Sequence, residues 1–380
     1  MNTVSLPLKI SDKTSHEVTT GFVDMPIIAP HILTSWLIAS GLLSFSESKA
    51  AEFWDHWRAV DAPWMRHRDF ADKARARTFQ PFGLYGDEVE YTESKEKLLL
   101  VFANYPLQEG PSTVWGTRFP LFCLRTERMV PDTMRSVWHF LAWSVNIMYT
   151  GVAPATGLNG EILEANTVVS PNEPLGYKCR LVEQRGDWKW HLQTMGLKQH
   201  WAANSLCHQC SASKVSQEFS YIQFVAEPRW LATVRTQEAF LLESLSLPPA
   251  CSLIYTAGWH YSMVRWCSMH VVQLGVGLHT LGSGIRELLD VAHFSDGRPL
   301  AGSCAVAESF KRMTSKFKLF CRAHSLEHSQ PPFKPYMLIQ TAEDFCFLHA
   351  KATWPLSCIL CLHCQSLLIV SDVQKLKCQY

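Results

Sequence analysis

The sequence carries almost no net charge: 35 Lys and Arg stand against 34 Asp and Glu, leaving +1. A protein held on nucleic acid by phosphate contacts shows a clear basic excess. Tight binding driven by the charge of the whole surface is therefore excluded, and only local patches remain for it. Charged residues of any sign are scarce, at 18% against 47% apolar, which excludes a disordered, self-repelling chain. Long uninterrupted apolar runs are also missing. Met25 to Phe45 is broken by Pro26, Pro30, His31 and several serines. Trp354 to Val370 reaches only about 17 residues, the lower limit for a span. Both are expected to be buried segments, and no membrane partner is expected. Residues 1–15 lack a basic stretch followed by an apolar one, so no secretory leader is expected. The 13 cysteines are odd in number and irregular in spacing. That argues against a disulfide framework and for reduced thiols in the nucleus or cytoplasm, a few of them on metal.

What is present is enough apolar mass for several units. A chain of 380 residues exceeds one ordinary domain, and its 14 tryptophans are core or interface mass. Residues 1–80 read as a helical N-terminal region. After Pro30, Ile32, Leu33, Trp36, Leu37 and Leu42 fall near helical spacing, and Ser48 to Val60 places Phe53, Trp54 and Trp57 on one face. Trp64 to Thr78 then gathers Arg66, Arg68, Lys73, Arg75 and Arg77, either a solvated helix or a local patch for the phosphates of DNA.

From Pro81 the period changes. Phe82 to Tyr91 reads as a strand interrupted at Gly86-Asp87, Leu98 to Phe102 as a buried strand, and Phe119 to Leu124 as a third. Asp132 is the expected N-cap of a helix whose stripe is Met134, Val137, Trp138, Leu141, Val145 and Met148, ended by Gly151. Tyr177 to Glu183 is a fourth strand, closing on Gly186-Asp187. Three strands, a helix and a strand form the opening order of an RNase H-like fold, in which strands one and four are neighbours. Asp87 and Asp187 would then meet. Paired carboxylates suit hard, octahedral Mg²⁺ or Mn²⁺ and phosphodiester cleavage. Each Gly-Asp dipeptide taken alone reads equally as a turn.

Cys207-His208-Gln209-Cys210 has the spacing of a zinc knuckle, with His200, His260 and His270 as candidate further ligands for Zn²⁺. The bland alternative is two unliganded buried thiols. Cys358, Cys361, Cys364 and His363 form a second group inside an apolar tail, read as structural. The glycines of Trp259 to Asp290 do not make a dinucleotide loop and read as close helix packing. Glu287 is an acid on that run. A Cys267–His270 pair would allow a cysteine-dependent enzyme, with Cys207 as another nucleophile, though no orienting acid lies nearby.

The segments PFGLYGDEVEY, LFCLRTERM, FLAWSVNIMYTG, QRGDWKWHLQTMGL, CHQC and MHVVQLGVGLHTLGSGIREL occur in this order, after APHILTSWL and EFWDHW. The series, spanning about residues 25–355, resembles transposase-like proteins related to CACTA (En/Spm) elements, in a divergent copy. The resemblance implies an RNase H-like core with an acidic triad and a cysteine-bearing helical insertion. It places the first acid on Asp87, the second on Asp187 and the CxxC on Cys207 and Cys210. Where the family has an aspartate before Leu/Met-His, this chain has Cys267, and a thiol is a poor Mg²⁺ ligand. Either that ligand is lost or Glu287 serves as third acid. The expected organisation is a mixed α/β protein: helical region 1–80, first part of the core 81–200, insertion 201–260, helical completion 261–355 and a tail, 356–380. The implied function is metal-dependent DNA strand cleavage or transfer, active or decayed. The alternative is a non-catalytic binding or scaffold protein with a zinc knuckle.

Overall fold

The structure, a computed structural model, describes residues 2–11, 17–108, 117–163, 169–200, 202–223, 225–245, 251–267, 277–290, 302–326, 331–340 and 346–348. It divides into two compact units, the first ending at Arg265 and the second starting at Trp266.

The first unit opens with strands β1 (Asn2–Ser11) and β2 (Val18–Ile27), paired antiparallel from Asn2↔Ile27 to Ser11↔Val18. The helical expectation for residues 1–80 is thereby corrected for its first third. Leu6 and Leu8 are buried and Val4 is half-buried. Pro7 between Leu6 and Leu8 is buried too, so it is the continuous ten-residue antiparallel pairing rather than a period of two that marks this segment as a strand. Helices begin at α1 (Pro30–Ala39), with Pro30 in its first turn, where a missing N–H costs nothing. In α2 (Glu47–Ala59), Ser46 accepts the N–H of Lys49, and Glu47 starts and Arg58 ends a helix whose dipole both complement. The expected helix at residues 64–78 is instead a 3₁₀ turn, Pro63–Arg66, and two short helices, α3 (Arg68–Ala71) and α4 (Lys73–Arg77), separated by Asp72, which caps α4.

A mixed five-stranded sheet follows. Strands β3 (Phe79–Glu90), β4 (Lys97–Asn104) and β5 (Phe119–Arg125) run antiparallel in succession. Helix α5 (Thr133–Thr150) leads to β6 (Lys178–Gly186), which lies parallel to β3, and β7 (Val264–Trp266) completes the order β5-β4-β3-β6-β7. All six residues of the expected α5 stripe are buried, and the helix packs on β6, α1 and β1. Gly151, at φ 73°, ends it with its N–H on the carbonyl of Ile147. Asp132 stands at the N-cap position but makes no side-chain cap; its carboxylate lies 3.3 Å from Arg135. Thr133 ties that end instead, accepting the N–H of Val130 and donating to the carbonyl of Pro7.

Among the described residues of this unit, three histidines are buried neutral. His31 sits against Ser144, and His191 donates through Nε2 to the carbonyl of Arg265. Burial lowers His31, His191 and His208 to about 4. The unfolded chain therefore takes up these protons first, near the ordinary value of about 6.5. Their contribution to stability is complete above that pH and is lost as pH falls from 6.5 towards 4. Chemical denaturation at pH 7 and pH 5 should show a loss of about 2 kcal/mol per histidine. Equal midpoints at the two pH values would contradict this burial.

In the second unit, helix α8 (Leu278–Asp290) buries Leu281, Ile285 and Leu289. With α9 (Gly302–Ala323) and the short strands β8 (Leu338–Gln340) and β9 (Cys346–Leu348) it shares a core that includes Phe310, Phe317 and Phe333. The region expected to be helical thus also holds an antiparallel two-stranded ribbon. In the first unit, the short helix α6 (Trp188–Trp190) and helix α7 (Gln237–Leu245) lie between β6 and β7 in sequence. Among the described residues no helix is long and apolar enough to cross a membrane. Residues 354–370, and the cysteine group at 358–364, lie outside the described residues.

Candidate functional site

The register of β3 and β6 runs up to the two Gly-Asp dipeptides. Strands β3 and β6 pair from Phe79↔Lys178 to Tyr85↔Arg185, with a bulge after Phe82. Before the bulge Phe82 faces Leu181; after it Gly83 faces Glu183, so Val182 is the extra residue. Continued two residues past Tyr85↔Arg185, the register sets Gly86 beside Gly186 and Asp87 beside Asp187. The backbone at Asp187 is still extended, at φ −77° and ψ 173°. Without the bulge, Gly186 would stand beside Asp87 and Asp187 would turn to the other face, because one residue of slip reverses a strand.

The two glycines have a shared purpose. A Cβ on Gly86 would lie 1.7 Å from Cζ2 of Trp190, and one on Gly186 would lie 2.5 Å from Cε3 of the same ring. The indole therefore lies across both glycines. It is fully buried, edge-on to Trp138 at 5.6 Å. Gly86-Asp87 is not the turn that the dipeptide alone allows, since β3 runs through it.

Both carboxylates are half-buried and held. Asp87 accepts the hydroxyl of Tyr85 at 2.8 Å and the N–H of Glu88 at 2.8 Å. Asp187 caps the short helix α6, accepting the N–H of Trp190 at 2.6 Å. Lys189 reaches Glu88 at 2.6 Å, so an ion pair spans the two strand ends just beyond the acids. The guanidinium of Arg118 lies 3.9 Å from the ring of Tyr85. Sequence reasoning singled out neither Tyr85, Arg118, Lys189 nor Trp190. Tyr85 alone left a signal, being two residues before Asp87 and so on its face of the strand.

The other expected site residues belong to other elements. Glu287 is exposed on α8 of the second unit, between Ile285 and Leu289, which point into that unit's core. Cys267 is buried, and His270 lies outside the described residues. Among the described residues, no group of three or more His, Cys, Asp or Glu is placed to hold a metal ion. The expected basic patch is largely a set of ion pairs: Arg66 with Asp61 at 2.6 Å, Arg75 with Asp69 at 2.8 Å, Arg77 with Asp55 at 3.0 Å and Arg68 with Asp69 at 4.0 Å. Its aspartates come from the same stretch of chain and offset its charge. Lys73 is exposed.

Cys207 is half-buried and Cys210 buried, in a loop where the N–H of Gln209 meets the Cys207 sulfur at 3.3 Å. The hydrogen bond from Cys210 holds the Cys207 thiol below the usual range, and the same contact pushes Cys210 up. Iodoacetamide at pH 7 should therefore label Cys207 at least about tenfold faster than Cys210, since the thiolate is the nucleophile. Equal labelling by peptide mapping would contradict that polarity. His200 and His260, the other described candidates, do not complete a zinc set with this pair. His260 bonds instead to Ser262 at 2.8 Å.

No protein-family model, curated protein or solved structure matches this chain.

Proposed function

We propose that the first unit is an RNase H-like, transposase-derived core that processes nucleic acid with a divalent metal at Asp87 and Asp187. The observation that carries this reading is the bulged, parallel register of β3 and β6, which, continued two residues past Tyr85↔Arg185, would set the two Gly-Asp dipeptides side by side. The strand order β5-β4-β3-β6 with an intervening helix is the order such a core requires. The donor set fits Mg²⁺ or Mn²⁺: two carboxylates supply hard oxygens, and Mg²⁺ commonly takes one or two carboxylates and completes its shell with water and phosphate. Each Asp87 oxygen accepts one hydrogen bond and keeps a second lone pair. When bound there, the metal would activate a water or hydroxyl and stabilise the leaving oxygen.

The chain's own residues prepare that site. Tyr85 and the Glu88 N–H fix the Asp87 carboxylate, while the start of α6 fixes Asp187. Arg118, stacked on Tyr85, brings positive charge to a phosphodiester laid across the pair. Nicking of supercoiled DNA by the full chain, with Mg²⁺ or Mn²⁺ and with chelator, tests the reading. Metal-dependent nicking is the expected result.

A second reading, a non-catalytic binding or scaffold protein, is favoured by the ion-paired basic segment. In that reading Asp187 is only a helix cap. The zinc knuckle attached to it has two of the four ligands a structural zinc needs. Absence of nicking under every metal condition would favour this reading over the first.

A further inference from the structure

A cavity of about 560 Å³ lies in the first unit between the 3₁₀ turn at Pro63–Arg66, the start of β6 and the segments 234–238 and 258–261. It is remote from the aspartate pair. Arg180 in its wall precedes Asp187 by seven residues of extended chain, about 23 Å at strand rise. Volumes of roughly 300–1,000 Å³ suit a small organic molecule rather than a bare ion.

Arg180 is the unusual group. It has no exposed surface. Its guanidinium lies 3.4 Å from the ring of Phe70 and 5.2 Å from that of Trp64. Nη2 donates to the carbonyls of Trp64, at 3.0 Å, and Gly258, at 2.7 Å. Nε and Nη1 are buried and meet no hydrogen-bond partner among the described residues. The nearby Asp69 is bonded elsewhere, to Arg75 and Tyr149. Burial lowers Arg180 only to about 9, so it stays a cation at neutral pH. A buried cation with two unpartnered nitrogens, three N–H donors in all, is costly and calls for an anion. Arg66, paired with Asp61, and Arg235, paired with Glu243, line the same cavity with His67 and His260, which burial first and the Arg180 charge second hold below the ordinary imidazole range. Glu238 is the one carboxylate in the lining and is exposed. It would accept a hydroxyl rather than meet the anion.

We infer that this cavity binds a small phosphate monoester of the nucleoside monophosphate class, its phosphate held at the Arg180 wall and its organic body along Trp259 and Tyr261. Phosphate fits because guanidinium donors match its oxygens in charge and spacing. This site stands whether or not the aspartate pair cleaves nucleic acid.

Isothermal titration calorimetry on the full chain tests it, with adenosine monophosphate, inorganic phosphate and adenosine as separate probes. Adenosine monophosphate should bind, inorganic phosphate should bind more weakly, and adenosine should give no heat. Arg180→Met, shown folded by circular dichroism, should weaken the monophosphate by about tenfold or more, the loss of a charge-assisted pair of bonds. Arg66→Ala changes an exposed side chain, 70% open, and should leave folding intact while weakening the same probe roughly threefold. No heat from adenosine monophosphate with the wild-type chain would overturn the inference. So would equal affinity for adenosine, for inorganic phosphate, or in both variants.

Discussion

Gly86→Ala should cost the first unit on the order of 3 kcal/mol, the upper part of the usual range for overpacking a core. The added methyl would sit 1.7 Å from Cζ2 of Trp190, well inside any real contact. The indole has little room to retreat. It is fully buried, edge-on to Trp138, whose own ring N–H is tied to the carbonyl of Thr194 at 2.5 Å. Gly186→Ala should cost less, because its methyl would meet the ring edge at 2.5 Å. Denaturant titration checks both. Gly86→Ala combined with Trp190→Leu should recover part of the loss, since the smaller side chain vacates the contested space. Wild-type stability in Gly86→Ala would mean that the indole does not lie across the two strands, and the side-by-side placement of Asp87 and Asp187 would lose its packing support.

The second large effect is on activity. Asp87→Asn and Asp187→Asn should each reduce divalent-dependent nicking by roughly a thousandfold, the several kcal/mol of charge stabilisation that a correctly held metal supplies. Asparagine isolates charge from structure here. At 187 its side-chain carbonyl still accepts the Trp190 N–H, and Asn caps a helix as well as Asp. Asp187→Asn should therefore unfold at the wild-type denaturant concentration. Asp187→Ala should lose about 1 kcal/mol as well as activity, because the cap goes with the charge. Activity unchanged in Asp187→Asn would leave that residue only its capping role and favour the non-catalytic reading.

Much of the sheet was legible because its strands announce themselves in different ways. Leu98 to Phe102 is an unbroken apolar run, and Phe119 to Leu124 and Tyr177 to Glu183 are short apolar stretches. The α5 stripe from Met134 to Met148 was legible because its period of 3.6 holds over four turns. The hairpin β1–β2 was missed although Leu6 and Leu8 alternate, since Pro7 between them obscures a short pattern. The two Gly-Asp dipeptides were legible as candidates at the ends of apolar strands, but not the reason for their glycines. Positive φ and turns are local properties, whereas Trp190 reaches Gly86 from about a hundred residues away. The bulge at Val182 is likewise set by pairing with β3 and leaves no mark in its own segment. The ion pairing of the basic stretch from Arg66 to Arg77 had a local sign in the sequence: Asp55, Asp61 and Asp69 accompany it. Arg180 sits between Cys179 and Leu181 in an apolar strand, a weak sign of burial that only the structure turns into a cavity wall.

The register of β3 and β6 makes one claim that can be seen directly. Crystals of the full chain grown with Mn²⁺ and measured at the manganese absorption edge should show an anomalous peak between Asp87 and Asp187, lost in the Asp87→Asn protein. Carboxylates turned to opposite faces of the sheet, or manganese bound elsewhere with this pair empty, would contradict the account.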